Sequence, residues 1–312
     1  MRVAVAQISP VFLDRAATIE KVASSIAEAA GRGCKLVAFG EVLIPGYPVW
    51  LSPTGGAEFN DDYQKEMYSL YLDNAVRIGA GDLEPLCGAA REHSIAVVLG
   101  VAERAEDRGG YTIYCSRVMI SAGGEILSVH RKLRPTYEER LVWGSGDGAG
   151  LVVHGVQEFT VGALNCWENW MPMARAALYA QGEDLHAMLW PGNHRLTREI
   201  TQFVARESRS YVISASGLLR ATDIGADLPR RSDVIAGDDV INNGGSAICG
   251  PDGRWLIEPV IDREELLVAD LDIAQVRRER QNFDPCGHYA RPDVFKLSVD
   301  RRRQSVAQFI DD

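Results

Sequence analysis

A cysteine at the end of a predicted strand is the residue of this sequence best placed to act as a nucleophile. Cys166 lies in segment 159–172, which reads FTVGALNCWENWMP. An apolar, β-branched run ends at Asn165, and the helix-like pattern MARAALYAQG follows Pro172. The thiol is therefore predicted to lie at a strand-to-helix turn, a position that exposes a nucleophile at the end of a sheet.

Two further segments place ionisable groups at or just beyond the end of an apolar strand. Segment 36–48, LVAFGEVLIPGYP, contains Glu41, and segment 129–148, VHRKLRPTYEERLVWGSGDG, contains Lys132 and Glu139. A thiolate nucleophile, a carboxylate base and an ammonium that stabilises developing negative charge form a complete set for covalent hydrolysis. The three segments together therefore predict a hydrolytic site.

Each of these residues also has a purely structural interpretation. A free cysteine is a common core residue, and Glu41 could equally begin a helix or form a salt bridge. The polar neighbours Asn165, Glu168 and Asn169 favour a reactive site, because a fully apolar core would not tolerate them. The thiol is therefore a candidate nucleophile. Glu41 is a candidate base, because it follows a buried strand and precedes the turn at 45–48.

Two other kinds of site are considered and disfavoured. Six histidines could supply an imidazole partner for the cysteine, and His130 precedes Lys132 on the same predicted strand, but none shows the local signature of a Cys-His hydrolase. The glycine-rich run 144–148 lacks the Lys-Ser/Thr that follows in a phosphate-binding loop.

Composition limits the partners and the compartment. The chain has 312 residues, 46% of them hydrophobic, which is enough for one large domain or two small ones. No segment resembles an interdomain linker, so one domain over residues 1–312 is predicted. A net charge of −10 argues against nucleic acid and anionic membranes as partners, and so favours a small molecule. The apolar runs are too short for a secretory signal or a membrane span, which predicts a cytoplasmic location. Six scattered cysteines without a C-x-x-C pair predict no metal site.

Hydrophobic periodicity gives two similar halves. The first reads as strand 1–8, helix 15–30, strand 36–39, helices 64–79 and 83–93, strand 95–101 and a hairpin around 122–124. The second reads as strand 159–165, helix 172–181, strand 187–190, helix 197–209, strand 211–215, a hairpin of 246–249 with 254–258, strand 266–271 and helix 272–281. This order predicts an α/β protein, a four-layer α-β-β-α sandwich rather than a Rossmann fold. Loops 51–63 and 220–243 lack periodicity and are expected to form binding surfaces, lids or subunit contacts.

The chemical segments resemble those of the nitrilase superfamily, and within it those of the true nitrilases. FGEVLIPGYP resembles the segment of the base glutamate, HRKLRPTYEERLVWGSGDG that of the lysine, and GALNCWENWMP that of the nucleophile. A later segment, GHYARPDVF at 287–295, resembles a further nitrilase segment. The resemblance extends over nearly the whole chain, with the segments in the family's order.

The resemblance implies a role for each of the four ionisable residues. Glu41 would be the general base, Lys132 the cation, Cys166 the nucleophile and Glu139 a second glutamate that orients the lysine and the substrate. It also implies a substrate pocket lined by residues from several loops, namely Tyr47, Thr136, Trp143, Trp167 and Pro191, with Trp170 and His194 beside them.

The resemblance further implies the α-β-β-α fold, no metal or organic cofactor, and a homodimer or larger homo-oligomer, with the C-terminal segment 285–312 at a subunit contact. Lys132 is followed by Leu-Arg-Pro-Thr and Cys166 by Trp-Glu-Asn, whereas amidases and carbamoylases typically have His-Leu and Tyr-Asp. A nitrile is therefore the expected substrate. An amidase, a cyanide hydratase or dihydratase, and a non-catalytic assembly scaffold are the alternatives.

Overall fold

The protein is described by a computed structural model, which covers residues 1–307 and 310. Its strands are β1 (Arg2–Gln7), β2 (Leu36–Phe39), β3 (Ala96–Ala105), β4 (Thr112–Ile120), β5 (Ile126–Arg131), β6 (His154–Val156), β7 (Phe159–Asn165), β8 (Leu185–Trp190), β9 (Tyr211–Ser216), β10 (Leu218–Arg220), β11 (Val240–Cys249), β12 (Trp255–Ile261) and β13 (Glu265–Asp270). Its α-helices are α1 (Arg15–Gly31), α2 (Asp62–Asn74), α3 (Glu84–His93), α4 (Pro172–Tyr179), α5 (His194–Ser208), α6 (Arg231–Ile235) and α7 (Ile273–Arg280).

The strands form two mixed sheets. The first has the order β13-β1-β2-β3-β4-β5, and the second has the order β10-β11-β9-β8-β7-β6, with β12 paired to β11. The neighbours β1, β2 and β3 run parallel, as do β7, β8 and β9. Parallel strands need long crossovers, and helices provide several of them.

Alternate residues of the central strands divide between separate apolar cores. In β1, Ala4 belongs to the core shared with α1 and α3, whereas Val3 belongs to the core between the two sheets. In β9, Val212 packs with α5, whereas Ile213 belongs to the core between the sheets. The order of layers is therefore helix, sheet, sheet, helix, and the predicted α-β-β-α sandwich is confirmed.

Two of the predicted boundaries that were wrong have a clear physical reason. The helix expected over 64–79 ends at Asn74, because the chain becomes extended at Ala75 and the N–H of Val76 donates to the carbonyl of Ala102 in β3. The loop expected over 220–243 contains α6, and β11 begins at Val240, because its first half pairs with the short strand β10.

The sheets come very close together beside the segment that follows β2. A Cβ added to Gly40 would lie 2.8 Å from the backbone nitrogen of Gly217 and 3.0 Å from the carbonyl oxygen of Trp190, so only glycine fits there without displacing backbone. The N–H of Glu41 donates to the same Trp190 carbonyl at 3.1 Å. The end of β2 in the first sheet is thus bound directly to the end of β8 in the second.

The predicted contact segment 285–312 lies partly outside the described residues, which omit 308, 309, 311 and 312. Residues 286–307 are largely exposed and carry no helix or strand. Among the described residues, none of the helices has the length and apolar character required to cross a bilayer.

Candidate active site

Glu41 lies two residues beyond the end of β2, and its side chain is completely buried. The neighbouring strand β3 approaches the Glu41 backbone closely at Gly100. A Cβ there would lie 2.4 Å from the carbonyl oxygen of Gly40 and 2.7 Å from the Cα of Glu41. Because Gly100 has no side chain, the backbone of Glu41 can lie this close to β3.

Lys132 follows β5 directly and is also completely buried. Its Nζ lies 2.9 Å from Oε1 of Glu41 and 2.7 Å from Oε2 of Glu139. Burial alone would lower the pKa of this ammonium, but the surrounding acidic groups, Glu41 first, raise it well above its ordinary value. Lys132 therefore carries a permanent positive charge between two carboxylates.

Glu139 lies in a short 3₁₀-helix, Tyr137–Leu141, that follows the lysine segment. Its Oε2 accepts the backbone N–H of Thr136 at 2.6 Å, and its Oε1 accepts the hydroxyl of Tyr47 at 2.9 Å. With Lys132, three donors hold this carboxylate. Its position next to the ammonium suits the orienting role that the sequence predicted.

Cys166 begins a 3₁₀-helix, Cys166–Trp170, immediately after β7, and α4 follows at Pro172. The expected strand-to-helix turn is therefore present. The backbone of Cys166 has φ 46°, a left-handed conformation that non-glycine residues adopt rarely and that recurs at functional sites. Its Sγ and one carboxylate oxygen each of Glu41 and Glu139 all lie within 4.8 Å of one another.

The same three side chains are close enough to coordinate a small cation. The Lys132 ammonium, however, already lies at hydrogen-bonding distance from both carboxylates. The Lys132 ammonium therefore already provides the positive charge that a bound cation would bring to these carboxylates.

The electrostatics of the site suit proton transfer from the thiol to a carboxylate. Burial raises the pKa of Glu41 to about 7 from an ordinary value of 4.5, while Lys132 acts in the opposite direction. Burial also raises the pKa of Cys166 well above its ordinary 9.0, and the nearby carboxylates add to the rise. At neutral pH the thiol keeps its proton, and an adjacent base must accept that proton during attack.

Three predicted pocket residues surround the lysine and the second glutamate. Tyr47 and Thr136 donate to Glu139, and the ring of Trp143 lies 5.6 Å from Nζ of Lys132. The rings of Tyr47 and Trp143 also meet edge to face, with centroids 5.6 Å apart. The structure therefore brings Tyr47, Thr136 and Trp143 together beside the ionisable cluster.

The other predicted pocket residues lie around the cysteine turn and at the end of β8. Trp167 and Trp170 stack with ring centroids 5.9 Å apart, and each is 40% exposed. Burial raises the pKa of the Cys166 thiol, and the backbone N–H of Trp167 offsets only a small part of that rise. Pro191 follows β8 and His194 begins α5, where asparagine side chains of β11 contact both residues.

Glu168 is an important residue of this site whose role the sequence did not reveal. Its completely buried carboxylate accepts the backbone N–H of Leu133 at 2.7 Å and that of Asn165 at 3.0 Å. Leu133 directly follows Lys132, and Asn165 directly precedes Cys166. One side chain thus connects the cation segment to the nucleophile segment.

Two buried histidines near the site are held by partners other than the thiol. His130 Nε2 lies 3.0 Å from a carboxylate oxygen of Glu168. His186 Nε2 lies 2.8 Å from Oδ1 of Asn169, whose Nδ2 donates to the carbonyl of Cys166 at 2.8 Å. Both imidazoles support the backbone of the catalytic segments, so the geometry favours a glutamate base over a Cys-His pair.

The glycine-rich run 144–148 also supports the lysine segment. The N–H of Gly146 donates to the carbonyl of Lys132 at 2.8 Å, and a Cβ at Gly146 would lie 2.1 Å from the carbonyl oxygen of Arg131. Glycine is needed here for close packing of two backbones. This packing gives the run a structural function.

Known proteins resemble this chain over nearly its whole length. Residues 2–281 match the carbon-nitrogen hydrolase family. An aliphatic nitrilase of Rhodococcus rhodochrous is 36% identical, and the match covers 96% of this chain and 83% of the relative. An arylacetonitrilase of Aspergillus niger is 35% identical over 98% of this chain and 90% of its own. Nitrilase 2 of Arabidopsis thaliana is 33% identical over 99% and 91%.

Solved structures give the same fold. A cysteine-to-serine mutant of the Nesterenkonia AN1 amidase, from the nitrilase superfamily, superposes with a TM-score of 0.66 at 19% identity. The match covers 90% of this chain and 95% of the amidase. The family match over residues 2–281 and the similarity to curated nitrilases over nearly the whole chain lead to one conclusion: the chain belongs to the carbon-nitrogen hydrolase family, in its nitrilase branch.

Proposed function

We propose that this protein hydrolyses an organic nitrile to the carboxylic acid and ammonia, with Cys166 as the nucleophile and Glu41 as the general base. The observation that carries the proposal is the meeting of the Cys166 thiol with the Glu41 and Glu139 carboxylates within 4.8 Å, beside the buried Lys132 ammonium. Nucleophile, base and cation are then in reach of one small electrophile.

The first step forms a carbon–sulfur bond. Glu41 accepts the thiol proton as Sγ of Cys166 attacks the nitrile carbon. That proton then passes through the Glu41/Lys132 pair to the nitrile nitrogen, which gives a neutral thioimidate. Lys132 and the backbone N–H of Trp167 stabilise the negative charge that develops during the attack. The protein supplies every group needed for this step.

Two water molecules complete the reaction. Glu41 activates the first water, which adds to the thioimidate, and the tetrahedral intermediate then loses ammonia and leaves a thioester. A second water cleaves the thioester, releasing the acid and restoring the Cys166 thiol. The overall change is one nitrile and two waters to one carboxylic acid and one ammonia.

Glu139 acts in this scheme as an orienting residue. It holds the ammonium of Lys132 at 2.7 Å and is itself held by Tyr47 and Thr136. A fixed ammonium stabilises charge without having to reorganise as the reaction proceeds.

We assign the substrate pocket to the aromatic and apolar residues around this cluster. Tyr47 and Trp143 would contact the organic group, supported by their position beside Glu139 and Lys132. The other members are Thr136, Trp167 and Pro191, with Trp170 and His194 at the periphery. Such a lining suits an aryl or medium-length aliphatic nitrile.

The assembly and the location follow from the same proposal. We propose one domain over residues 1–312 that forms a homodimer or larger homo-oligomer, with segment 285–312 at a subunit contact. Exposed apolar side chains of the cysteine turn, α4 and α5 support self-association, namely Trp167, Trp170, Met171, Met173 and Phe203. A cytoplasmic location suits a thiol nucleophile, which must stay reduced.

The test is ammonia release from aliphatic, aryl and arylacetonitriles, from cyanide and from the matching amides. Wild type is compared with Cys166→Ala and with Cys87→Ala, a buried thiol on α3 outside the site. Ammonia and acid from nitriles, lost only in Cys166→Ala, support the proposal. Ammonia from amides alone identifies an amidase, and amide without ammonia identifies a hydratase. Inactivity on the whole panel, with an unreactive Cys166, supports the scaffold alternative.

A further inference from the structure

A second cysteine contacts the catalytic groups, and the proposed reaction does not use it. Cys115 lies in β4 and is completely buried. Its thiol donates to Oε1 of Glu41 at 3.2 Å, and its carbonyl accepts the backbone N–H of Lys132 at 2.8 Å. This residue therefore contacts both the segment of the base and the segment of the cation.

The two oxygens of the Glu41 carboxylate have different surroundings. Oε1 lies 2.9 Å from Nζ of Lys132 and accepts the thiol of Cys115. Oε2 is buried and has no hydrogen-bond partner among residues 1–307 and 310. A buried carboxylate oxygen without a partner is energetically costly and calls for a functional explanation.

We propose that Cys115 is a positioning residue for catalysis, whose thiol and the Lys132 ammonium together occupy Oε1 of Glu41 and leave Oε2 to accept the proton of Cys166. The inference rests on the proposed function, because it assigns the working oxygen of the proposed base. In the proton-transfer step, the Sγ–H bond of Cys166 breaks and an O–H bond forms at Oε2 as sulfur bonds to the nitrile carbon. Cys115 keeps its own proton throughout.

A second donor at Oε1 matters because a glutamate carboxylate rotates easily about its last torsion. One ammonium contact fixes the distance to Oε1 but leaves the carboxylate plane free to turn. A donor from β4 adds a second contact and so restricts that rotation. Burial raises the pKa of the Cys115 thiol well above its ordinary value, so the thiol remains a donor over the whole working pH range.

The hydrogen bond also influences the charge on the base. A donor to a carboxylate favours its ionised form, so removing the donor raises the pKa of Glu41. Replacing Cys115 with an apolar residue should therefore move the acidic limb of the pH profile to higher pH. The other groups that act on Glu41 stay in place in such a variant, namely Lys132, Glu139, Cys166, Tyr47 and Tyr71.

The test compares Cys115→Val, which fills the site with an apolar side chain of similar size but removes the donor, with Cys115→Ser, which keeps a donor. Cys87→Val is the control for the loss of a buried thiol elsewhere in the core. We expect Cys115→Val to lower kcat about tenfold. The apparent pKa of the acidic limb of its pH–rate profile should rise by roughly half a unit, and KM should be unchanged. Cys115→Ser should stay nearer to wild type in both respects.

Equal effects of the Val and Ser substitutions on kcat would overturn the proposal. A lower kcat in Cys115→Val with an unmoved acidic limb would also overturn it. Packing alone explains either result. Cys115→Ala replaces the Val variant if the latter fails to fold. For a variant too slow to assay, the pH dependence of Cys166 alkylation by iodoacetamide, measured on its peptide by mass spectrometry, gives the same comparison. Inactive wild type would instead contradict the proposed function.

Discussion

Nζ of Lys132 lies 2.9 Å from Oε1 of Glu41, and both side chains are completely shielded from solvent. Burial of an ion pair costs the hydration free energy of two charges. Only close contact between the charges and further hydrogen bonds offset that cost. Glu139 provides the additional contact, at 2.7 Å from the same ammonium. The three charged groups therefore depend on one another for stability.

Replacing Lys132 with methionine should both abolish turnover and destabilise the fold. Two buried carboxylates would lose their shared cation, and removal of one partner from a buried pair typically costs about 3–5 kcal/mol. Urea unfolding measures the free energy of unfolding. Lys35→Met, at an exposed lysine before β2, is the matched control and should leave both quantities near wild type. A fully stable Lys132→Met protein would contradict this account of the site.

The activity should decline on the acidic side near neutral pH. Glu41 must be ionised to accept the thiol proton, and burial raises its pKa to about 7. The ionised carboxylate predominates above this pKa and is lost as the pH falls through it. The raised pKa therefore places the loss of activity near neutral pH. A kcat/KM profile should therefore show an acidic limb near pH 7. A limb near 4.5, the ordinary value for glutamate, would contradict the raised pKa of Glu41.

An alanine at Gly100 should displace the base. The added Cβ would meet backbone atoms of Gly40, Glu41 and Val42 at 2.4–2.7 Å, and none of these can move without shifting the loop. The expected cost is about 1–3 kcal/mol in stability. Turnover should fall by roughly 100-fold through misplacement of Glu41.

Gly155→Ala is the control for this substitution, because Gly155 also lies in a strand and a Cβ there meets no atom within 4 Å. The two variants should differ sharply in kcat while both remain folded. Wild-type turnover in Gly100→Ala would show that the loop tolerates the extra atom.

Glu168→Gln should weaken the connection between the lysine and cysteine segments. Burial favours the neutral carboxyl, but His130 and the two backbone donors outweigh burial and hold the pKa of Glu168 below its ordinary 4.5. With a lowered pKa, the stabilising contribution is present above the ordinary value and is lost as the pH falls through the native one. The variant should be about 1–3 kcal/mol less stable than wild type at neutral pH.

This stability difference should shrink as the pH is lowered to about 3. Denaturant unfolding at several pH values measures it, with Glu92→Gln, at an exposed residue of α3, as the control. A constant difference at every pH would show that the charge of Glu168 has no part in the connection.

The catalytic segments could be predicted from sequence because each follows a short apolar strand. The runs before Glu41, Lys132 and Cys166 all form strands, the first two in one sheet and the third in the sheet packed against it. The α-β-β-α order was also predictable from the alternation of strand and helix patterns.

Contacts between distant segments could not be read in the same way. Cys115 is 74 residues from Glu41, and Glu168 is 35 residues from Leu133. Local patterns report periodicity within an element, whereas these contacts depend on how whole strands are placed next to each other. The end of α2 was misjudged for a related reason: the extended chain at Val76 is bound to β3, and no local breaker marks it.

The position of Gly40 against Gly217 and Trp190 gives the site a mechanical property. The base and the cation follow strands of one sheet, and the nucleophile follows a strand of the other. The distance between Sγ of Cys166 and the carboxylate of Glu41 therefore depends on the position of one sheet relative to the other. Hydrostatic compression, or a change of side-chain volume deep between the layers, should therefore tune turnover from a distance.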